Sequence, residues 1–515
     1  MLTEAAGEFS RGWSLMSSVG GISSEVLLLN ILAVGLAVVL FRDVRRLPLI
    51  VLACLAAVFV STPVAVVMKG IKSAVYVVDL MPLVLVPFLL SAARRRVFGE
   101  GVVLAVAMLL LVVPAVVGGV HYLVEGAGGG LWVRGAKEFW IWYYRNAILW
   151  LFFVAGVALR LDARAACGFV RANVGLGLVV GTVGLFGYSG VFDLAVFDRL
   201  AAVGDAERLR ALGDSGIGAG FFGLFRGAVG QFFGSMVVLA AGAAACFVGA
   251  RKVTALIGVG VGIGVVVLSQ SRAGLVGMAV GLMVLGVVGR DMQQRVVGVV
   301  ALLGIAGWVW WTFGEIGGRL ESGIHLADQA SAGRVLAWGR SLDYLWAHPG
   351  SMAIGVGPTD RAAIHEVTGA FGAHNEYIDS VFRGGVIGVA SLLAVLLVLF
   401  RKLRGTQRLA EREVRTVGGA MLAVFLGNVV MGLTQGHLLR DYSDFVVGAL
   451  IFLWYGVGVG LRRDVGAGGS VSEGRGMVGG RAVVGRLEDG DALRSVGHER
   501  RGTGYGVARV TADAG

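Results

Sequence analysis

Histidines, arginines and carboxylates gather at high density between positions 319 and 384 of a chain that is otherwise strongly apolar. The stretch contains Gly333-Arg334-Val335-Leu336-Ala337-Trp338, then His348-Pro349, Gly355-Val356-Gly357 and His374-Asn375. An imidazole takes up a proton near neutral pH, so a histidine here is suited to act as general base on a hydroxyl. His374, within Gly372-Ala373-His374-Asn375-Glu376-Tyr377, stands shortly before an apolar run and is the first candidate. His348, ahead of a proline in a turn signal, reads as structural. Asn375 either orients the His374 ring or caps a helix start, a position that asparagine favours. Glu366, Glu376 and Asp379 are either acid/base partners or solvated loop carboxylates.

Arginine supplies the second kind of chemistry. Arg226 and Arg272, the latter directly after Ser269-Gln270-Ser271, each stand at the start of an apolar run. A guanidinium is a planar fork of donors that matches diphosphate oxygens. Several converging at one membrane surface would hold a lipid-linked diphosphate headgroup; singly, each is an interfacial anchor. Arg334, Arg340, Arg361 and Arg383 add further guanidiniums to the polar stretch. Asp79 and Arg145 fall inside apolar runs, where an ionisable group is costly and by default paired or functional. No His-Glu-x-x-His, no cysteine pair at ligand spacing and no outer Asp-x-Asp occurs, so neither a metal nor any other cofactor is expected.

The elements that must position these groups are set by composition. Of 515 residues, 56% are hydrophobic and 15% charged, and the mean hydropathy is +0.80, which excludes an ordinary soluble domain. Apolar runs of span length point to an all-α polytopic transmembrane bundle of 12–13 helices. They lie near 24–41, 48–68, 73–92, 102–120, 140–159, 174–192, 230–248, 253–270, 273–289, 296–313, 384–400, 416–434 and 443–461.

Basic residues near span ends stay in the cytoplasm. That puts Arg42/Arg45/Arg46, Arg94/Arg95/Arg96, Arg160/Arg164/Arg171, Arg251/Lys252, Arg290/Arg295, the 401–415 run and Arg462/Arg463 inside. The alternate connections then face out, including 193–229, the 269–272 turn, a large loop at 314–383 and 435–442. Six of the seven histidines fall in these outer connections. Residues 1–23 lack the pattern of a cleavable secretory signal. Cys54, Cys167 and Cys246 lie in or beside apolar runs or on the inner side and suggest no disulfide framework.

The order of these features resembles the O-antigen ligase superfamily: Ser-Arg opening a span, an outer loop with Gly-Arg-x-x-x-Trp, His-Pro, Gly-x-Gly and His-Asn, then Gly384-Gly385-Val386-Ile387-Gly388 opening the next. The resemblance covers about 220–400 and extends to O-antigen polymerases and protein O-oligosaccharyltransferases. It implies a glycosyltransferase of the bacterial inner membrane, multi-pass, with its active site on the periplasmic side. Such an enzyme moves a glycan from undecaprenyl diphosphate to an acceptor hydroxyl during surface polysaccharide synthesis. Under it His374 activates the acceptor, Arg272 and Arg226 hold the diphosphate, and Arg334 matches the loop arginine. Asn375, Glu376 and Arg383 would support them; Arg383 stands where an acidic residue is common, a departure bearing on the acceptor.

The expected partners are a polyprenyl-diphosphate-linked glycan, a glycan or lipid A–core acceptor and membrane lipids, with no nucleic acid. On this reading 1–463 form the membrane domain and 464–515 a disordered cytoplasmic tail. A secondary transporter or lipid flippase is the alternative from another class, and it would place its polar groups near the midplane.

Overall fold

The computed structural model describes residues 131–189, 226–269, 271–289, 335–356, 375–409, 411–434 and 445–461, with short pieces at 63–66, 74–76, 85, 191 and within 292–307. The runs near 24–41 and 102–120, Asp79, the side chain of Arg145, and the 464–515 tail lie outside the described residues. So do 314–334 and 357–374 of the outer loop, with His325, Arg361, His365 and Glu366.

The fold is helical: α1 (Leu131–Leu159), α2 (Ala163–Tyr188), α3 (Arg226–Ala244), α4 (Ala250–Leu268), α5 (Arg272–Val288), the short α6 (Pro349–Ile354), α7 (Glu376–Thr406), α8 (Arg412–Met431) and α9 (Phe445–Gly460). A helical segment at 335–347 precedes α6. A small antiparallel ladder, β1 (Pro63–Val66) with β2 (Ala74–Tyr76), is the one addition to the all-α expectation among the described residues. It falls at the edges of two windows read as spans, 48–68 and 73–92. Five described helices, α2, α3, α4, α7 and α8, are long and apolar enough to cross a membrane.

Helix starts are set by polar caps rather than by the apolar windows. Asp162 Oδ1 accepts from Ala165 N at 2.8 Å, so α2 begins at Ala163 and takes Arg164 and Arg171 into its first turns. The sequence pattern alone leaves both in a connection and opens the span at 174. Likewise α7 begins at Glu376 rather than 384, because Asn375 caps it.

In burial, α3 and α8 are central. The apolar stretch of α3 is 94% buried, against 28% for α4 and 33% for α7. The core between them is aromatic, with Phe152, Phe169, Phe232, Phe425 and Trp454 all fully covered. Two of its polar side chains are bonded within it, as a medium without water favours: Trp454 Nε1 donates to Asn173 Oδ1 at 2.9 Å, and Asn173 Nδ2 to Phe169 O at 2.7 Å.

Contacts along the helices give their relative directions. Gly230 meets Ser271 and Gly274, and Gly277 meets Gly427 and Met431, while Glu376 N donates to Gly432 O at 2.8 Å. The starts of α3, α5 and α7 and the finish of α8 therefore share one end of the bundle, here termed the rim. At the other end Gly242 packs on Ala420, Gln294 Nε2 donates to Gly242 O at 2.9 Å, and Gly418 abuts Thr406. This alternation agrees with the grouping of connections inferred from arginine and lysine.

Candidate functional site at the bundle rim

The rim is built from helix ends. Ser271 caps α5, its Oγ accepting from Gly274 N at 3.1 Å, and so makes Arg272 the first helical residue. Ser269 and Ser271 are buried, whereas Arg272 is exposed. Arg226 is the first residue of α3; its side chain lies outside the described residues.

The two helices run parallel at backbone distance. A Cβ on Gly274 would fall 2.6 Å from the carbonyl carbon of Gly230, and one on Gly230 would overlap Ser271 Oγ. At a rise of about 1.5 Å per residue, the Cα atoms of Arg226 and Arg272 lie within a turn of the same level. Both helices also direct the positive end of their backbone dipole at this rim, which favours a bound anion.

The start of α7 closes the rim beside them. Asn375 Oδ1 accepts from Tyr377 N at 3.0 Å and Ile378 N at 3.2 Å, and its Nδ2 donates to Leu433 O at 3.0 Å. Both ends of this amide are thus spent on capping α7 and fastening it to the end of α8. Of the two roles open from sequence, these bonds are those of the cap. Tyr377 OH adds a bond to Val429 O at 2.8 Å. Glu376, 1% exposed, and Arg383, 6% exposed, are buried within this first segment of α7 rather than solvated.

α7 is broken at Gly385, whose φ is 62°. Gly355, with φ 79°, sits against it: a Cβ on Gly355 would overlap the Arg383 carbonyl, and one on Gly385 the Ala353 carbonyl. Only glycine takes both the left-handed backbone and the close approach. Val356 N then donates to Phe382 O at 2.9 Å, satisfying a carbonyl near the break. In this way α6 is locked onto the first segment of α7, with Leu345, Val356 and Phe382 as a small apolar core.

His348 precedes α6, stacks on Tyr344 at 4.3 Å and pairs its Nδ1 with Tyr344 O at 2.8 Å. That geometry is structural. His374 and Arg334 lie outside the described residues; the chain resumes at Asn375, one residue after His374. Arg340 is exposed on the 335–347 segment.

Two groupings escaped the reading of the sequence. Below the rim, Gln231 Nε2 donates to Asn428 Oδ1 at 2.8 Å, and Asn428 Nδ2 donates to Ser235 Oγ at 2.9 Å. Their sequence signal is neutral polar residues inside apolar windows, which, unlike ionisable ones, carry no large desolvation cost to mark them. At the opposite end Cys167 and Cys246 are hydrogen-bonded, and Cys246 Sγ also reaches Glu413 O at 3.8 Å. That bond, with burial, pushes the Cys246 thiol well above its ordinary range.

Residues 257–393, from the body of α4 to the first half of α7, match the family model described as O-Antigen ligase. No curated protein matches the chain. The matched stretch holds Arg272, Asn375, Glu376, Arg383 and the positions of Arg334 and His374.

Proposed function

We propose, from the match of residues 257–393 to the O-antigen ligase family model, that the rim of this polytopic protein transfers a glycan from polyprenyl diphosphate to an acceptor hydroxyl. The family match supports ligase- or polymerase-type work in polysaccharide biosynthesis; the donor, the acceptor and the residue roles are our reading. His374 takes the proton of the acceptor hydroxyl. The oxygen forms a bond to the anomeric carbon as the bond from that carbon to the diphosphate oxygen breaks. The electron pair leaves with the diphosphate, whose growing charge Arg226, Arg272 and Arg334 neutralise. Because a diphosphate is already a good leaving group, this scheme requires neither a metal nor a nucleotide sugar.

The observation that carries the reading is the backbone contact of α3 with α5 at Gly230 and Gly274, with an arginine opening each helix. Beside it, α7 begins two residues after His374. The rim would face the periplasm, where the energy of the diphosphate bond serves in place of ATP. Ligase and polymerase differ on this scheme only in the acceptor, a lipid A–core sugar or a growing chain.

A transporter would need the break in α7 as a binding site, yet the backbone of α6 fills it at Gly355 and Ala353. Replacing His374 by Ala and assaying transfer of a labelled undecaprenyl-diphosphate glycan tests the assignment. Transfer should fall by about 10²–10⁴-fold while the protein still folds and binds donor. Unchanged transfer would remove the base.

A further inference from the structure

Gln231, Ser235 and Asn428 form a polar cluster at the seam of α3, α5 and α8, and they are 1%, 6% and 2% exposed. The cluster sits one to three turns below the rim, among helix faces that are otherwise apolar or glycine. Its bonding has only one consistent arrangement. Asn428 Nδ2 donates both to Val424 O and to Ser235 Oγ, each at 2.9 Å, so its Oδ1 must be the atom facing Gln231. Gln231 then presents Nε2 to that oxygen at 2.8 Å. Its own Oε1 is left buried without a partner. Ser235, accepting from Asn428, keeps its hydroxyl proton to donate.

These groups line a cavity of about 10 Å³ whose other walls include Gly234, Gly274 and Gly277. That is close to the ~10–15 Å³ needed to seat one water. An acceptor buried in a membrane-spanning bundle is costly unless it is bonded, which gives a guest there a reason to bind. A cation fits less well, because no carboxylate is among the lining residues to offset its charge.

We propose that Gln231 and Ser235 hold a single water molecule in this cavity. Ser235 donates to the water oxygen, and the water donates to Gln231 Oε1. The seam beneath the two arginine-bearing helix starts is thereby a glycine contact with a bridging water. The proposal stands apart from the transfer reaction and survives if that reading fails.

The test is a single-particle map of the full chain in lipid nanodiscs, at a resolution that shows ordered waters. One peak is expected at about 3 Å from both Gln231 Oε1 and Ser235 Oγ. Gln231→Met keeps the bulk and removes the acceptor, and the peak should vanish; Ser235→Ala should at least weaken it. A wild-type map with both side chains ordered and no peak overturns the proposal. So does Gln231 Oε1 bonded directly to protein, or a peak undiminished in Gln231→Met. The wild-type arm decides the matter even if a variant does not fold.

Discussion

Two seams of this bundle use glycine to bring helix backbones together, and they differ in what they bury. Where α1 packs parallel to α9, a Cβ on Gly156 would lie 2.5 Å from Leu453 O, and one on Gly460 would lie 2.6 Å from Val157 O. Around these contacts stand Trp150, Phe152, Phe153 and Phe452, all buried, with the Trp150 and Phe452 rings edge to face at 4.6 Å. Where α3 meets α5 and α8, the glycines Gly230, Gly274, Gly277 and Gly427 are as close, but the neighbours are Gln231, Ser235 and Asn428. The first seam is chiefly aromatic and aliphatic, with Asn146 and Tyr455 as its buried polar side chains, and it carries no arginine at the described contacts. The second leads up to Arg226 and Arg272. Close packing by itself therefore marks a strong helix pair; on the proposed reading, close packing that ends at two arginine-opened helix starts is where the diphosphate would be held.

The comparison is broken most sharply by removing an arginine. Arg272→Ala should lower glycan transfer by about 10²–10³-fold, the usual cost of losing one donor to a developing oxyanion, or about 3–4 kcal/mol. Because Arg272 is exposed and outside the packed seam, the thermal unfolding midpoint in detergent should stay near wild type. Arg272→Lys should recover only part of the rate, since an ammonium lacks the bidentate fork. If Arg272→Ala transfers normally, the polar seam ends in an anchor and the contrast between the seams disappears.

The aromatic seam should show the opposite pattern. Gly456→Val puts a side chain onto Phe153 O and forces α1 from α9, at a cost of about 3 kcal/mol. The yield of folded protein and its unfolding temperature should drop. Transfer per folded molecule should change little, because among the described residues the nearest neighbours of Gly456 are Phe153 and Gly156, away from the rim. Loss of specific activity at unchanged stability would place α9 in the site and erase the distinction.

Much of this contrast was open to a reader of residue order, and the reasons for the remainder are physical. Windows near 230–248, 253–270, 273–289 and 416–434 anticipate α3, α4, α5 and α8, because a lipid-crossing helix must be apolar whatever it touches. The direction of each followed from arginines and lysines that flank the spans. Helix starts were placed late, at 174 for α2 and 384 for α7, because a helix continues past the lipid into polar turns fixed by Asp162 and Asn375. The Gln231–Asn428 bond was hidden for another reason: it joins residues 197 apart in sequence, and a neutral amide barely alters a hydropathy average. The serines before Arg272 signal the helix start that the structure shows there, with Arg272 as its first residue. Arg226 is a candidate with it from sequence; what needed the fold was the glycine contact that sets the two helix starts side by side.

Asn375 gives a smaller effect that sharpens the picture of the rim. Its amide caps α7 and holds Leu433 O, so Asn375→Ala should cost about 1–2 kcal/mol of stability. Asn375→Asp keeps the capping oxygen and loses the donor to Leu433, and should fall between. Transfer should decline in step with how far the α7 start loosens from α8. A variant as stable as wild type would mean that this end of α7 is secured chiefly by Glu376 N and Tyr377 OH.

The smallest effect lies at the far end, away from both seams. Cys246 is hydrogen-bonded to Cys167 and partly buried, so its folded-state pKa is raised above that of an unfolded thiol. Below the unfolded value of about 8.5 both states carry the proton and stability is unaffected. Above it the unfolded chain ionises at this position first, so the Cys246 contribution to stability falls as pH rises. Cys246→Ala should flatten that alkaline slope in thermal scans between pH 7 and pH 9. The intact protein should also react with a maleimide more slowly at Cys246 than the denatured chain does. A slope unchanged by the substitution would mean that another group titrates there, and that the bond between α2 and the α3–α4 turn contributes no pH dependence.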